Sequence, residues 1–205
     1  MRRTRVKICG VTSLDDAEAA VALGADAIGF VFAPSKRLVA PADARRIARA
    51  ISPFATTVGV FRDQSADHIR SVVDASGVDR VQLHGEETPA FVAMLGLDVI
   101  KAITVGRVED VERARRFAVP ILFDGPRPGA GERFDARLLA QGERLTRPFF
   151  VAGGLDAANV GEIVRALRPD GVDVSSGVER EPGIKDPALV ARFIAAVREA
   201  DGSPS

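Results

Sequence analysis

Apolar and polar positions change their period repeatedly along this chain of 205 residues. Short runs rich in Val, Ile and Phe alternate with longer stretches whose apolar residues recur every three or four places. The short runs read as strands and the longer ones as amphipathic helices. Strands are expected at residues 5–9, 27–32, 57–61, 80–84, 99–103, 120–124, 149–152 and 171–174. Helices are expected at 13–23, 42–51, 66–75, 89–95, 108–117, 136–143, 157–167 and 187–200. Ser13, with Asp16 three residues on, is placed to cap the first helix, and Ser65 and Asp156 are placed likewise further along. Gly24, Gly77 and Gly96 fall just past helical patterns, where a left-handed residue is often needed. The phrase Gly24-Ala25-Asp26 returns as Gly77-Val78-Asp79 and Gly171-Val172-Asp173, which predicts a repeated helix-to-strand turn.

Eight strand-then-helix units in succession imply a parallel sheet with right-handed crossovers. An open doubly wound sheet usually stops at five or six strands, so eight units predict closure into a single-domain (β/α)8 TIM barrel. Such barrels typically run to about 250 residues, so this one is of minimal size with trimmed loops. The barrel is expected over residues 1–200, with a polar, frayed tail at 201–205.

Composition narrows the class. Hydrophobic residues make up 46% of the chain, which is globular rather than disordered. The 28 basic and 28 acidic side chains balance, with a pI near 6.8. That argues against a nucleic-acid partner. A single cysteine permits no intrachain disulfide and suits a reducing, cytoplasmic location. The basic start Met1-Arg2-Arg3-Thr4-Arg5 lacks the apolar stretch of a signal peptide. The most apolar window, 17–34, contains Glu18 and Asp26, so no membrane span is expected. No P-loop, no zinc-type Cys/His cluster and no Rossmann glycine pattern is present. Neither a metal nor a cofactor is expected. Lysines are few, and two of the four, Lys7 and Lys101, fall in expected strands.

Catalytic groups of such a barrel lie at the C-terminal ends of its strands. Lys7 and Cys9 share one face of the first strand, with apolar Val6 and Ile8 on the other. Cys9 then lies at the mouth, where the Lys7 charge can favour a thiolate. A buried structural cysteine is the competing reading. After the second strand, Arg37 of Ser35-Lys36-Arg37 is suited to a carboxylate, or to solvent alone. Gln82 and His84 share a face of the fourth strand. Asp124 ends the apolar sixth strand as a candidate acid or base, with a helix cap as the alternative. The loop after it carries Gly129-Ala130-Gly131, whose backbone can approach a ligand. Val151-Ala152-Gly153-Gly154 and Val174-Ser175-Ser176-Gly177 are glycine-rich loops after strands seven and eight. That pair is the usual phosphate site of these barrels.

These residues, in this order, resemble the phosphoribosylanthranilate isomerase family along nearly the whole chain. The likeness rests on Lys7-Ile8-Cys9-Gly10, Ser35-Lys36-Arg37, Val81-Gln82-Leu83-His84-Gly85, Phe123-Asp124 with Gly131 and Phe134-Asp135, Ala152-Gly153-Gly154-Leu155, and the run from Gly171 through Glu179 followed by Gly183-Ile184-Lys185-Asp186. The resemblance implies an Amadori rearrangement of N-(5-phosphoribosyl)anthranilate to 1-(o-carboxyphenylamino)-1-deoxyribulose 5-phosphate. It implies Asp124 as general acid at the ring oxygen and Cys9, as thiolate, as base at C2. It implies Arg37 on the substrate carboxylate, and Gly153, Gly154, Ser176 and Gly177 around the phosphate. His84 and Asp173 would line the sugar and aromatic region. The partner is a small phosphorylated molecule, and the protein a monomer or homodimer. The chain departs from the family where a Gly-Gly-Thr/Ser-Gly loop becomes Pro128-Gly129-Ala130-Gly131, and where a common Trp is Ala136. Alternatives are another phosphate-binding barrel isomerase or synthase, a doubly specific histidine/tryptophan isomerase, or a non-catalytic barrel subunit. The last two fit poorly with Cys9 on the first strand and an intact acid/base pair.

Overall fold

The computed structural model describes residues 3–51, 53–125, 136–140 and 147–202. Eight parallel strands close into one barrel in chain order, with the first beside the eighth. They are β1 (Arg5–Cys9), β2 (Ala27–Val31), β3 (Thr56–Phe61), β4 (Arg80–Leu83), β5 (Val99–Thr104), β6 (Ile121–Asp124), β7 (Phe149–Val151) and β8 (Gly171–Val174). The helices around them are α1 (Leu14–Ala22), α2 (Pro41–Ala50), α3 (Ala66–Ser76), α4 (Pro89–Leu95), α5 (Val108–Ala114), α6 (Ala136–Ala140), α7 (Val160–Leu167) and α8 (Pro187–Gly202). Each expected strand and helix is present, with ends shifted by a few residues. The end of the expected sixth helix and the Pro128-Gly129-Ala130-Gly131 loop lie outside the described residues. Ala136, where relatives often carry Trp, packs against the main core at the start of α6.

Strand parity sorts the side chains into two cores. Val6, Ile8, Val81, Leu83, Val99, Ile103, Ile121 and Phe123 point outward and join the helices in the large core. Ile100, Ala102, Leu122 and Ala152 point inward and form a small separate cluster inside the barrel, with Phe150 against it. This inner plug separates a cavity at the C-terminal mouth from one at the N-terminal end. Parity also divides the two strand lysines. Lys7 points inward. Lys101 points outward and is buried between sheet and helices, donating to Leu83 O, Gly85 O and Glu87 Oε2. Lys101 thus anchors the loop that follows β4 and carries His84.

Turn chemistry sets the register. Ser13 and Ser65 cap α1 and α3 by accepting from Asp16 N and His68 N. Asp156 instead accepts from Ala158 N and Asn159 N in the turn before α7, so it organises that turn without being the cap residue. The repeated Gly-x-Asp phrase has a cause at two of its three positions. Asp26 accepts from Val6 N of β1, and Asp79 from Thr57 N of β3. Each carboxylate pins the start of one strand to its neighbour. At the third position the expectation fails, because Gly171-Val172-Asp173 lies within β8. There Asp170 takes the turn role, accepting from Phe149 N of β7. The expected tail also differs. Asp201 is helical, and its carboxylate accepts from both N and Oγ1 of Thr4, at 2.9 and 2.6 Å. No helix among the described residues is long and apolar enough to cross a membrane.

One segment was not expected. After β8 the chain makes a short 3-10 turn at Ser176–Val178. It then forms an antiparallel hairpin of β9 (Glu179–Glu181) and β10 (Ile184–Lys185), turned at Gly183 with φ of 87°. Two- and three-residue strands leave too short a pattern for a period of two to register.

Candidate active site

Cys9 ends β1 facing the mouth, beside Lys7 and opposite Gly29 of β2. A side chain at Gly29 would stand 2.8 Å from Cys9 Sγ and 3.0 Å from Lys7 Nζ. Glycine there is what lets both groups occupy the barrel interior. Lys7 Nζ donates to Asp173 Oδ2 of β8 at 2.9 Å, and both are buried. Burial alone pulls the Lys7 ammonium down, but Asp173 and Cys9 outweigh it and hold it above its ordinary value. Burial pushes the Cys9 thiol up, and the Lys7 and Lys185 charges oppose this without reversing it. Lys7 therefore acts on Cys9 in the expected sense, yet the thiol is the dominant form in the free protein. Burial also pushes the Asp173 carboxyl up, against Lys7. Asp173 Oδ1 has no hydrogen-bond partner among the described residues.

Asp124 ends β6 at the same mouth. Ile121 and Phe123 fill the outer core, so Leu122 and Asp124 face inward. Its Oδ1 accepts from Gly125 N at 2.8 Å. Its Oδ2 lies 3.1 Å from His84 Nε2, although the ring is not aligned for a hydrogen bond. His84 Nδ1 is 3.3 Å from Gln82 Nε2. The three groups form a row across the mouth, at the ends of β4 and β6. A helix-capping role for Asp124 is not seen among its contacts.

The loops after β7 and β8 interlock through their glycines. Gly153 has φ of 92° and backs onto Gly125 N, where a Cβ would stand 2.2 Å away. Gly177 backs onto Leu155 O, where a Cβ would stand 1.9 Å away. Asn159 braces the β7 loop, donating to Gly154 O at 2.8 Å. Gly153, Gly154, Ser175 and Ser176 line the cavity, whereas Gly177 sits behind them.

Arg37 reaches over the mouth from the loop after β2. Its Nε and Nη2 donate to Glu179 Oε1 and Oε2 at 2.8 and 2.7 Å. That occupies one edge of the guanidinium and leaves the Nη1 edge for a ligand carboxylate. Burial pushes Glu179 up, but Arg37 and Lys185 outweigh it and hold the carboxyl at about 2. The mouth cavity, about 380 Å³, brings together Cys9, Arg37, His84, Asp124, Asp173, Gly153, Gly154 and Ser176. Of the expected site residues only Gly177 lies outside its lining. The Glu179–Lys185 pair was not foreseen as part of the site. Its sequence signals were the run that ends in Glu179 and the Gly183-Ile184-Lys185-Asp186 phrase.

A closed eight-stranded barrel with a thiol, a carboxylate and glycine loops converging at one mouth defines an enzyme acting on a small anionic molecule. Residues 6–196 match the family model for N-(5'phosphoribosyl)anthranilate (PRA) isomerase. A relative from Desulforudis audaxviator, N-(5'-phosphoribosyl)anthranilate isomerase, is 45% identical over 96% of this chain and 99% of its own. The crystal structure of phosphoribosyl anthranilate isomerase from Thermotoga maritima is 41% identical, with a TM-score of 0.91 over 96% of this chain and 99% of that one. Another structure, 40% identical with a TM-score of 0.88, is of monomers generated from the dimeric Thermotoga protein. A phosphoribosyl anthranilate isomerase in complex with reduced 1-(o-carboxyphenylamino)-1-deoxyribulose 5-phosphate superposes with a TM-score of 0.88 at 41% identity, covering 96% and 99%. The chain belongs to the phosphoribosylanthranilate isomerase family, and is an isomerase of tryptophan biosynthesis.

Proposed function

We propose that the mouth cavity carries out the Amadori rearrangement of N-(5-phosphoribosyl)anthranilate with Asp124 and Cys9 as acid and base. The observation that carries this reading is their convergence on one cavity floored by the β7 and β8 glycine loops. Asp124 gives a proton to the furanose ring oxygen, and the C1–O bond opens to a protonated Schiff base. Cys9, as thiolate, takes the C2 proton; the C2–H pair becomes the C1=C2 bond and the C1=N π pair passes to nitrogen, giving the enolamine. Tautomerisation then gives the ketose. Gly153, Gly154 and Ser176 hold the phosphate, with Gly177 supplying backbone room behind them. The unpartnered Asp173 Oδ1 suits a sugar hydroxyl, and His84 orients Asp124. The deciding experiment is turnover of freshly generated phosphoribosylanthranilate, followed by loss of its fluorescence. Failure of the wild-type protein to turn it over overturns the reading.

Arg37 is proposed to bind the anthranilate carboxylate through its Nη1 edge, while Glu179 holds the other edge. Arg37→Ala is expected to raise KM by about tenfold or more with a smaller change in kcat, the mark of lost substrate binding. An unchanged KM removes Arg37 from that role.

The catalytic unit is proposed to span residues 1–200, in the cytoplasm, with no nucleic-acid or membrane partner. Homodimeric assembly, rather than a monomer, is proposed on the likeness to the Thermotoga protein. Phe54, 95% exposed beside the N-terminal cavity, is an apolar side chain fitted to such a contact. Sedimentation is expected to give twice the 21.7 kDa chain mass, and Phe54→Glu to halve it. A wild-type protein at the single-chain mass sinks the dimer.

A further inference from the structure

Two buried charges of the β9–β10 hairpin neither give nor take a proton in the chemistry above. Lys185 is almost completely buried, and its ammonium has three protons to place. They go to Cys9 O at 2.6 Å, Glu179 Oε1 at 2.7 Å and Ser175 O at 3.3 Å. Those three acceptors belong to the end of β1, to the hairpin and to the start of the β8 loop. Glu179 Oε1 also accepts from Gly183 N, closing the hairpin on itself. Both Glu179 oxygens hold Arg37. The hairpin is tied in turn to the loop after β1, through Thr12 Oγ1 to Gly183 O, and to the first turn of α1, through Lys185 N to Asp16 Oδ2.

We propose that Lys185 and Glu179 are positioning residues, joining the Cys9 base, the phosphate loop and the Arg37 clamp into one unit. This rests on the isomerase reading above and adds to it the device that sets the spacing of its three parts. A hairpin could be pinned more cheaply by apolar side chains, since a buried ion pair is often no more stabilising than a hydrophobic replacement. What the pair adds is direction and charge. The Glu179 carboxylate fixes the plane of the Arg37 guanidinium where it lines the cavity. The Lys185 ammonium fixes the carbonyl of the residue that bears the thiol.

Charge gives the pair a signature that a plain structural pin lacks. Cys9 is faced by Lys7 from its own strand, Asp173 from β8, Lys185 from β10 and Arg37 from the loop after β2. Asp124 and His84 line the same cavity. Lys185→Met removes a positive charge, so the thiolate forms at higher pH. Glu179→Gln is read through KM instead, because burial lowers the Lys185 ammonium and Glu179 opposes this, so the variant also makes Lys185 easier to neutralise. The chain has one Cys and no Tyr or Trp, so ultraviolet absorbance of the thiolate reads Cys9 directly. Lys185→Met is expected to shift that titration upward by on the order of one pH unit. Glu179→Gln is expected to raise KM by about tenfold while kcat stays within about threefold.

Circular dichroism first establishes that each variant is folded. If Lys185→Met does not fold, the isosteric Glu179→Gln decides alone, by its raised KM. A Lys185→Met titration that is unmoved or shifted downward, or a Glu179→Gln enzyme with wild-type KM, overturns the proposal. A wild-type protein without turnover overturns the isomerase reading instead, and the titration still tests the pair.

Discussion

Asp124→Asn is expected to lower kcat by about 100-fold or more, the usual scale for loss of a general acid. The substitution keeps the shape of the side chain and removes the proton it must give. Its surroundings make the loss specific to chemistry. Oδ1 is held by Gly125 N, a contact that an amide oxygen also accepts. Oδ2 faces His84 Nε2 across 3.1 Å and becomes an amide donor in the variant. Steady-state kinetics with a thermal melt tests this. The melting temperature is expected to stay within a few degrees of wild type, because no buried apolar volume is lost. A variant with near-normal kcat removes Asp124 from the mechanism.

Cys9→Ser is expected to cost a similar factor, about 100-fold or more in kcat. Serine keeps the geometry but ionises far above any working pH. The pH dependence carries further information. Burial raises the Cys9 thiol above its ordinary value of 9.0, with Lys7 and Lys185 opposing. A raised value means that the neutral thiol dominates at neutral pH and the base form grows as pH rises. The ultraviolet titration of the free protein is therefore expected to inflect above 9.0, and to vanish in Cys9→Ser. An inflection below that value means that the cation pair outweighs burial. A thiol that is hard to ionise is a stronger base once ionised, so burial gives up population in exchange for basicity.

Much of this was legible before the fold was seen, for reasons that differ by element. The eight strand-helix units were readable because each strand is a short apolar run and each helix carries its own caps, as at Ser13 and Ser65. Those are local properties of the backbone and of hydrophobic burial. Cys9 and Asp124 were readable because each ends an apolar strand, and alternation along a strand fixes which face a side chain takes. The misreading of Gly171-Val172-Asp173 has a physical source. A three-residue phrase does not say whether its Asp lies before a strand or within it. The neighbouring strand's N–H decides, and at β8 Asp170 takes it.

The sequence by itself determined the barrel, the inward face of each strand and the candidate acid and base. These follow from interactions within a few residues, or from periodicity that burial imposes. Only the tertiary structure decided how the mouth is assembled. Lys7 meets Asp173 across 166 positions of chain, Lys185 meets Cys9 across 176, and Arg37 meets Glu179 across 142. Such pairs are set by barrel closure, which brings β8 and its hairpin beside β1. The ionisation of Cys9 was likewise decided there, because desolvation depends on everything packed around the thiol and not on the one lysine two residues away.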